Sequence, residues 1–245
     1  MKKILTPVMA LASIFACANV SAEQIILNDF NDGTTQGWNK GGAADKPLTN
    51  ETEADGNGYI KLISEGESST DADKKIVFQN ASGEWRGNYI AKGAQSITAR
   101  FKNMGPDDVE LHAAFGNTLA DLRTRWVTTK GAVIPNDGEW HEAFFSFAPA
   151  ELTMVPLGGH GKSNASFSAQ ETLGNVNTVR FSQGTLGDET GQGHSAEGLY
   201  TGWNGGPEVE ADLWIDDIAL STDRCSADMH FMASMGHCMA NSNMP

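Results

Sequence analysis

The sequence predicts an all-β chain: an antiparallel two-sheet sandwich followed by an irregular C-terminal tail. Three observations predict it. Several short segments alternate apolar and polar residues, clusters of turn-forming residues separate them, and few stretches carry a helical period.

The alternation is clearest in Ser96-Ile97-Thr98-Ala99-Arg100-Phe101-Lys102. After the turn Met104-Gly105-Pro106-Asp107 it resumes with Val109, Leu111, Ala113 and Phe115. Residues 59–63, 75–79, 125–129, 140–147, 176–181 and 212–220 supply further strands. Between them lie Asp55-Gly56-Asn57-Gly58, Pro135-Asn136-Asp137-Gly138 and Gly205-Gly206-Pro207, where glycine, proline and the short amides favour tight turns. Only a few short stretches could be helical, such as residues 117–123. Residues 158–174 and 183–207 read as long loops.

The start of the chain has a different chemistry. Lys2 and Lys3 precede an uncharged, mostly apolar run, and Val20-Ser21-Ala22 ends it with small residues before Glu23. Basic start, short apolar run and small-x-small exit make residues 1–22 a cleavable secretory signal. The run is shorter than the roughly 20 residues that span a bilayer, so an exported chain, periplasmic or secreted and without a transmembrane segment, is expected. Lipid attachment at Cys17 is the rival reading, and the bulky Phe15 fits it poorly. Without the signal, 223 residues remain, with 15 basic against 31 acidic. That imbalance repels phosphate backbones and excludes nucleic acid as a partner. Cys225 and Cys238 also remain, an even pair that closes a disulfide in an oxidising compartment; metal ligation and free thiols are the alternatives.

Catalytic motifs are missing from the sequence. It holds no Gly-x-Ser-x-Gly, no His-Glu-x-x-His and no phosphate-binding glycine loop followed by Lys and Ser or Thr. A non-catalytic binding protein is therefore favoured. A lyase or hydrolase acting on polysaccharide is kept as an alternative, with His160 and His194 on the long loops.

Five stretches, in order, resemble the strands of galactose-binding-like jelly rolls. They are residues 26–33 with Gly37-Trp38, Gly58-Tyr59-Ile60-Lys61-Leu62, the Gly138–Phe144 stretch with Trp140 after a turn, Val176-Asn177-Thr178-Val179-Arg180-Phe181, and Leu213-Trp214-Ile215-Asp216-Asp217-Ile218-Ala219-Leu220. The resemblance implies one jelly-roll domain over residues 23–222, the fold of many carbohydrate-binding modules, with a Met/His/Cys-rich tail at residues 223–245. It implies a glycan or cell-surface component as ligand. It also implies a structural calcium between the first and last strands, held by Asp29, Asn31, Asp216 and Asp217. Asn31 departs from the family's usual glutamate and offers the ion less charge.

Trp38, Trp140 and Trp214 sit in strand motifs that pack the core. Trp85, Trp126, Tyr200 and Trp203 sit in or beside loops and are the candidate rings for stacking on sugar. The tail concentrates five of the seven methionines left after the signal. Met229, His230, Met232, Met235, His237 and Met239 are candidate ligands for copper, because thioethers select the monovalent ion. Their spacing resembles the Met/His-rich segments of exported copper-handling proteins.

Overall fold

The computed structural model describes residues 23–40, 47–66, 74–119, 122–156, 167–184, 208–225, 229–232 and 237–240. The strands are β1 (Gln24–Asn28), β2 (Trp38–Lys40), β3 (Thr49–Thr52), β4 (Gly58–Glu65), β5 (Val77–Asn80), β6 (Ser96–Asn103), β7 (Val109–Leu119), β8 (Leu122–Thr128), β9 (Ala132–Ile134), β10 (Trp140–Ser146), β11 (Leu152–Pro156), β12 (Thr178–Gln183), β13 (Glu210–Ser221), β14 (Met229–Met232) and β15 (His237–Ala240). One α-helix, α1 (Ala169–Leu173), lies between β11 and β12.

Two antiparallel sheets form a sandwich of jelly-roll type. The first runs β10-β6-β13-β4-β3, and the second runs β11-β8-β7-β12-β5-β2, with β9 on the far end of β7. Strand β13 changes partner along one edge. Glu210 to Ile215 pair with β4, and Ile218 to Ser221 pair with β1. A bulge between Asp216 and Ala219, with Asp217 at φ 49°, turns the strand at that change. An extra residue in one strand bends it and re-aims its side chains.

The alternating residues do what their period predicts. Ile97, Ala99 and Phe101 of β6 meet Leu111, Ala113 and Phe115 of β7 and Val179 and Phe181 of β12 in one core. Rings fill its centre: Trp38, Phe78 and Phe181 lie 5.0–5.7 Å apart, and Phe145 is 5.1 Å from Phe181. Each such ring contributes about 1.5–3 kcal/mol by leaving water. Part of the other face of the second sheet is also buried. His112, Arg125, Arg180 and Ser182 alternate with the core residues of their strands and are no more than 6% exposed.

Three expectations need correction. Residues 117–123 are not helical: Asn117, Thr118 and Leu119 continue β7 and pair with Thr124, Arg123 and Leu122 of β8. Pairing across the hairpin overrides local propensity. The described helix lies in the predicted 158–174 loop instead. Ser168 accepts from Glu171 N while the Glu171 carboxylate returns to Ser168 N, a capping box that fixes the first turn of α1. The tail is not wholly irregular, because β14 and β15 pair as a two-stranded sheet of their own.

Candidate functional site

The site builds up from Asn28, the last residue of β1. Its amide is buried, and its Oδ1 accepts from two indoles, Trp38 Nε1 at 2.9 Å and Trp85 Nε1 at 2.7 Å. The two rings stand edge to face, 5.2 Å apart. A carbonyl oxygen that takes two fixed donors has one orientation, so the Nδ2 group is aimed by the core itself. That group donates to Leu27 O and to Glu84 Oε1, at 3.3 and 3.4 Å.

Around this amide lies a cleft of about 540 Å³, lined by Leu27, Asn28, Asp32, Gln36, Gly37, Ser82, Gly83 and Glu84. The volume falls within the usual range for small-ligand pockets, roughly 300–1,000 Å³. Three chain segments supply it, and buried Asn80 clamps two of them. Its Nδ2 donates to Gln36 O at 3.0 Å, and its Oδ1 accepts from Ser82 N at 2.8 Å. Gly37, at φ 83°, passes so close to Asn80 that an added Cβ would stand 3.3 Å from the amide.

The 29–37 loop is held in a strained form. Phe30 and Gln36 both adopt positive φ, 54° and 47°. Gln36 Oε1 accepts from Phe30 N, Gln36 Nε2 donates to Asp29, and Asn50 Nδ2 donates to the carbonyls of Phe30 and Thr34. Strain of this kind persists where the surroundings over-determine it, and it clusters at binding sites. The Asp32 carboxyl lies below the usual carboxylate range, foremost because Thr34 N donates to it. It is therefore ionised at neutral pH. Ser82 Oγ is buried with no hydrogen-bond partner among the described residues.

The predicted rings lie elsewhere. Trp85 is fully buried and serves under the pocket, as a donor to Asn28, instead of facing a ligand. Trp126 stands opposite Phe115, packs against the core, and donates Nε1 to Phe167 O at 2.9 Å. Tyr200 and Trp203 lie outside the described residues, as do His160, His194 and the signal with Cys17. Two of the three tryptophans assigned to the core face outward. Trp140, Lys102, Trp214 and Lys61 form a row across the first sheet. Their ring faces are already covered: Tyr59 stacks on Trp214 at 4.4 Å, Lys102 Nζ sits 4.6 Å from Trp214, and Arg100 sits 4.9 Å from Trp140.

The four calcium candidates fit an ion poorly. Asp29 Oδ1 accepts from Asn31 N and Gln36 Nε2, and Asn31 Oδ1 accepts from Gly58 N. Asp216 Oδ2 accepts from Asn57 Nδ2 at 2.9 Å and meets Arg100 Nη1 at 3.5 Å, and Asp217 Oδ2 meets the same nitrogen at 3.4 Å. Calcium wants six to eight converging oxygens. Here the oxygens answer N–H donors, and a fixed guanidinium cation accompanies the aspartate pair. Burial further holds the Asp216 carboxyl above its ordinary range. Among the described residues no group of three or more His, Cys, Asp or Glu is placed to hold a metal.

Of the copper candidates, Met229, His230 and Met232 lie on β14 and His237 and Met239 on β15, while Met235 falls outside the described residues. Cys225 is buried just after β13. No helix among the described residues is long and apolar enough to cross a membrane.

No family model and no curated protein matches the chain. Among solved structures it is similar to a family 11 carbohydrate-binding module from Clostridium thermocellum in complex with a β-1,3-1,4-mixed-linked tetrasaccharide. Identity is 13%, coverage is 79% of this chain and 93% of that one, and the TM-score is 0.44. It is also similar to the CBM22-1 xylan-binding domain from Paenibacillus barcinonensis Xyn10C, at 10% identity, 81% and 94% coverage and a TM-score of 0.46. An exo-β-agarase matches at 9% identity and a TM-score of 0.47, over 81% of this chain and 24% of that one.

Proposed function

We propose that the chain is an exported binding protein that takes a neutral glycan in the Asn28 pocket. The observation that carries this reading is the pocket's lining. Asp32 and Glu84 offer carboxylate acceptors, the Nδ2 and Nε2 groups of Asn28 and Gln36 stand beside them as donors, and Leu27 gives an apolar edge that is 44% exposed. Sugar hydroxyls need both kinds of partner at once. Among the described residues no lysine or arginine lines the cleft, and uronates, sulfates and phosphates would meet the carboxylates of Asp32 and Glu84 there. The fixed Asn28 amide supports the reading, because a donor oriented before binding costs less to engage.

Affinity gels containing neutral and acidic polysaccharides test it. Retardation is expected on a neutral polysaccharide. It should be lost in Glu84→Ala and Gln36→Ala and kept in Trp140→Ala, which alters the outer face of the first sheet. No retardation across a broad neutral panel would overturn the proposal, as would retardation that survives both pocket variants.

Export belongs to the same reading. Glu23, where the mature chain is expected to start, is tied to the end of the closing strand: its N donates to Thr222 Oγ1 at 3.0 Å, and Thr222 N donates to Glu23 O at 3.1 Å. N-terminal sequencing of the secreted chain should start at Glu23. A Cys225–Cys238 disulfide would close a short loop worth about 3 kcal/mol. Its signature is a mass that rises by two hydrogens on reduction.

A further inference from the structure

We propose that one face of the C-terminal hairpin is a monovalent copper site made of His230, Met232, His237 and Met239. The register carries the inference. His230 stands opposite Met239, and Met232 stands opposite His237. Directly opposite residues of an antiparallel pair share a face, with Cβ atoms about 4.5–5.5 Å apart. Residues two apart along a strand also share a face, about 6.6 Å apart at the usual rise. The four positions are therefore the corners of one small rectangle on one side of the hairpin.

The remaining positions fall on the other side: Met229, Phe231, Cys238 and Ala240. The structure thus divides a run that the sequence presents as one cluster. The Met-x-x-Met spacing is broken, because Met229 and Met232 take opposite faces. Cys238 is likewise separated from the four, which leaves it available to a disulfide.

The ligand set on this face is two imidazoles and two thioethers. None is a carboxylate or thiolate. Calcium and magnesium require oxygen, and zinc favours thiolate or histidine with carboxylate. Thioethers select soft, monovalent copper. A two-stranded hairpin standing alone is marginally stable in water. An ion that joins β14 and β15, which among the described residues pair only with each other, would add to the stability of that pairing.

The test titrates the full secreted chain with Cu(I) under anaerobic conditions at pH 7, against bicinchoninate as competing chelator. One Cu(I) per chain is expected. His230→Ala and His237→Ala should each weaken binding tenfold or more, as should Met232→Ala combined with Met239→Ala. Met229→Ala, on the opposite face, should stay within twofold of the parent. Hydrogen exchange over residues 229–240 should slow on loading. Three results would each overturn the proposal: no retained Cu(I), histidine variants that bind like the parent, or Met229→Ala as damaging as the face variants. Thermal unfolding of each variant shows whether the sandwich itself is intact.

Discussion

Asn28 shows how one side chain ties the core to the pocket. Its oxygen satisfies two indole N–H groups that are shielded from water, so Asn28→Ala orphans both. Each lost partner costs about 1–3 kcal/mol, and a loss of about 2–5 kcal/mol is expected in urea unfolding. Trp85→Phe is gentler, because it keeps a ring in the core and removes one donor. It should cost about 1 kcal/mol and weaken glycan retention without unfolding the chain. Trp85→Ala instead leaves a cavity worth about 3–5 kcal/mol, and so reports on stability before it reports on ligand. The role of Trp85 was not legible in the sequence. Its neighbours Glu84, Arg86, Gly87 and Asn88 read as a solvent-facing loop, and nothing local reveals that Asn28, far back in the chain, accepts from its indole. His112 makes a pH prediction at the same scale. Its Nδ1 lies 2.6 Å from Thr128 O, and burial holds the imidazole below its ordinary value of 6.5. Well above pH 6.5 both folded and unfolded forms are neutral, so no dependence arises there. Below it the unfolded chain takes a proton that the folded chain resists, and stability falls. Urea midpoints between pH 7.5 and 5.5 should drop more steeply in the parent than in His112→Gln. Equal slopes would remove His112 as the cause.

At the scale of elements, long strands were readable and short ones were not. β6 and β7 run for 8 and 11 residues and show their alternation plainly. β2 and β9 have three residues each, too few for a period, and exist because neighbouring strands offer them partners. The bulge in β13 is a further case. Asp216-Asp217 reads in sequence as a ligand pair, yet the bulge turns the pair towards Arg100 and Asn57. Chelation with EDTA is therefore expected to leave the melting temperature unchanged. Arg100→Ala, which strips a cation from buried Asp216, should cost about 1–3 kcal/mol. A rise of several degrees on adding calcium would show instead that the ion displaces Arg100. Packing sets a second limit at the β1–β4 junction. A Cβ on Gly58 would stand 2.4 Å from Phe30 O, a backbone atom with no freedom to retreat. Gly58→Ala should lower the melting temperature and loosen the 29–37 loop, visible as faster hydrogen exchange there.

Across the whole molecule, the fold and the site differ in legibility for one physical reason. The sandwich is specified by periodic residues, and the long strands such as β6 and β7 declare their buried face locally. The pocket draws on Leu27 and Asn28, on Asp32 to Gly37 and on Ser82 to Glu84, and these meet where β1 and β5 end and β2 begins. None of the three segments carries a motif alone. The tail lies between these cases: its composition was conspicuous, and the hairpin register decides which residues share a face. That hairpin forms its own sheet, apart from the two that enclose the core. Glycan and copper binding should therefore be separable. Deleting residues 226–245, with Cys225→Ala to avoid a free thiol, should abolish Cu(I) binding and leave retardation on polysaccharide unchanged. The melting temperature should stay within about 3 °C, the shift that roughly 1 kcal/mol gives a chain of this size. If retardation disappears while the sandwich still melts cooperatively, the tail takes part in the glycan site and the two activities are one. If Cu(I) binding persists, the metal is held by the sandwich, and the hairpin face is not its site.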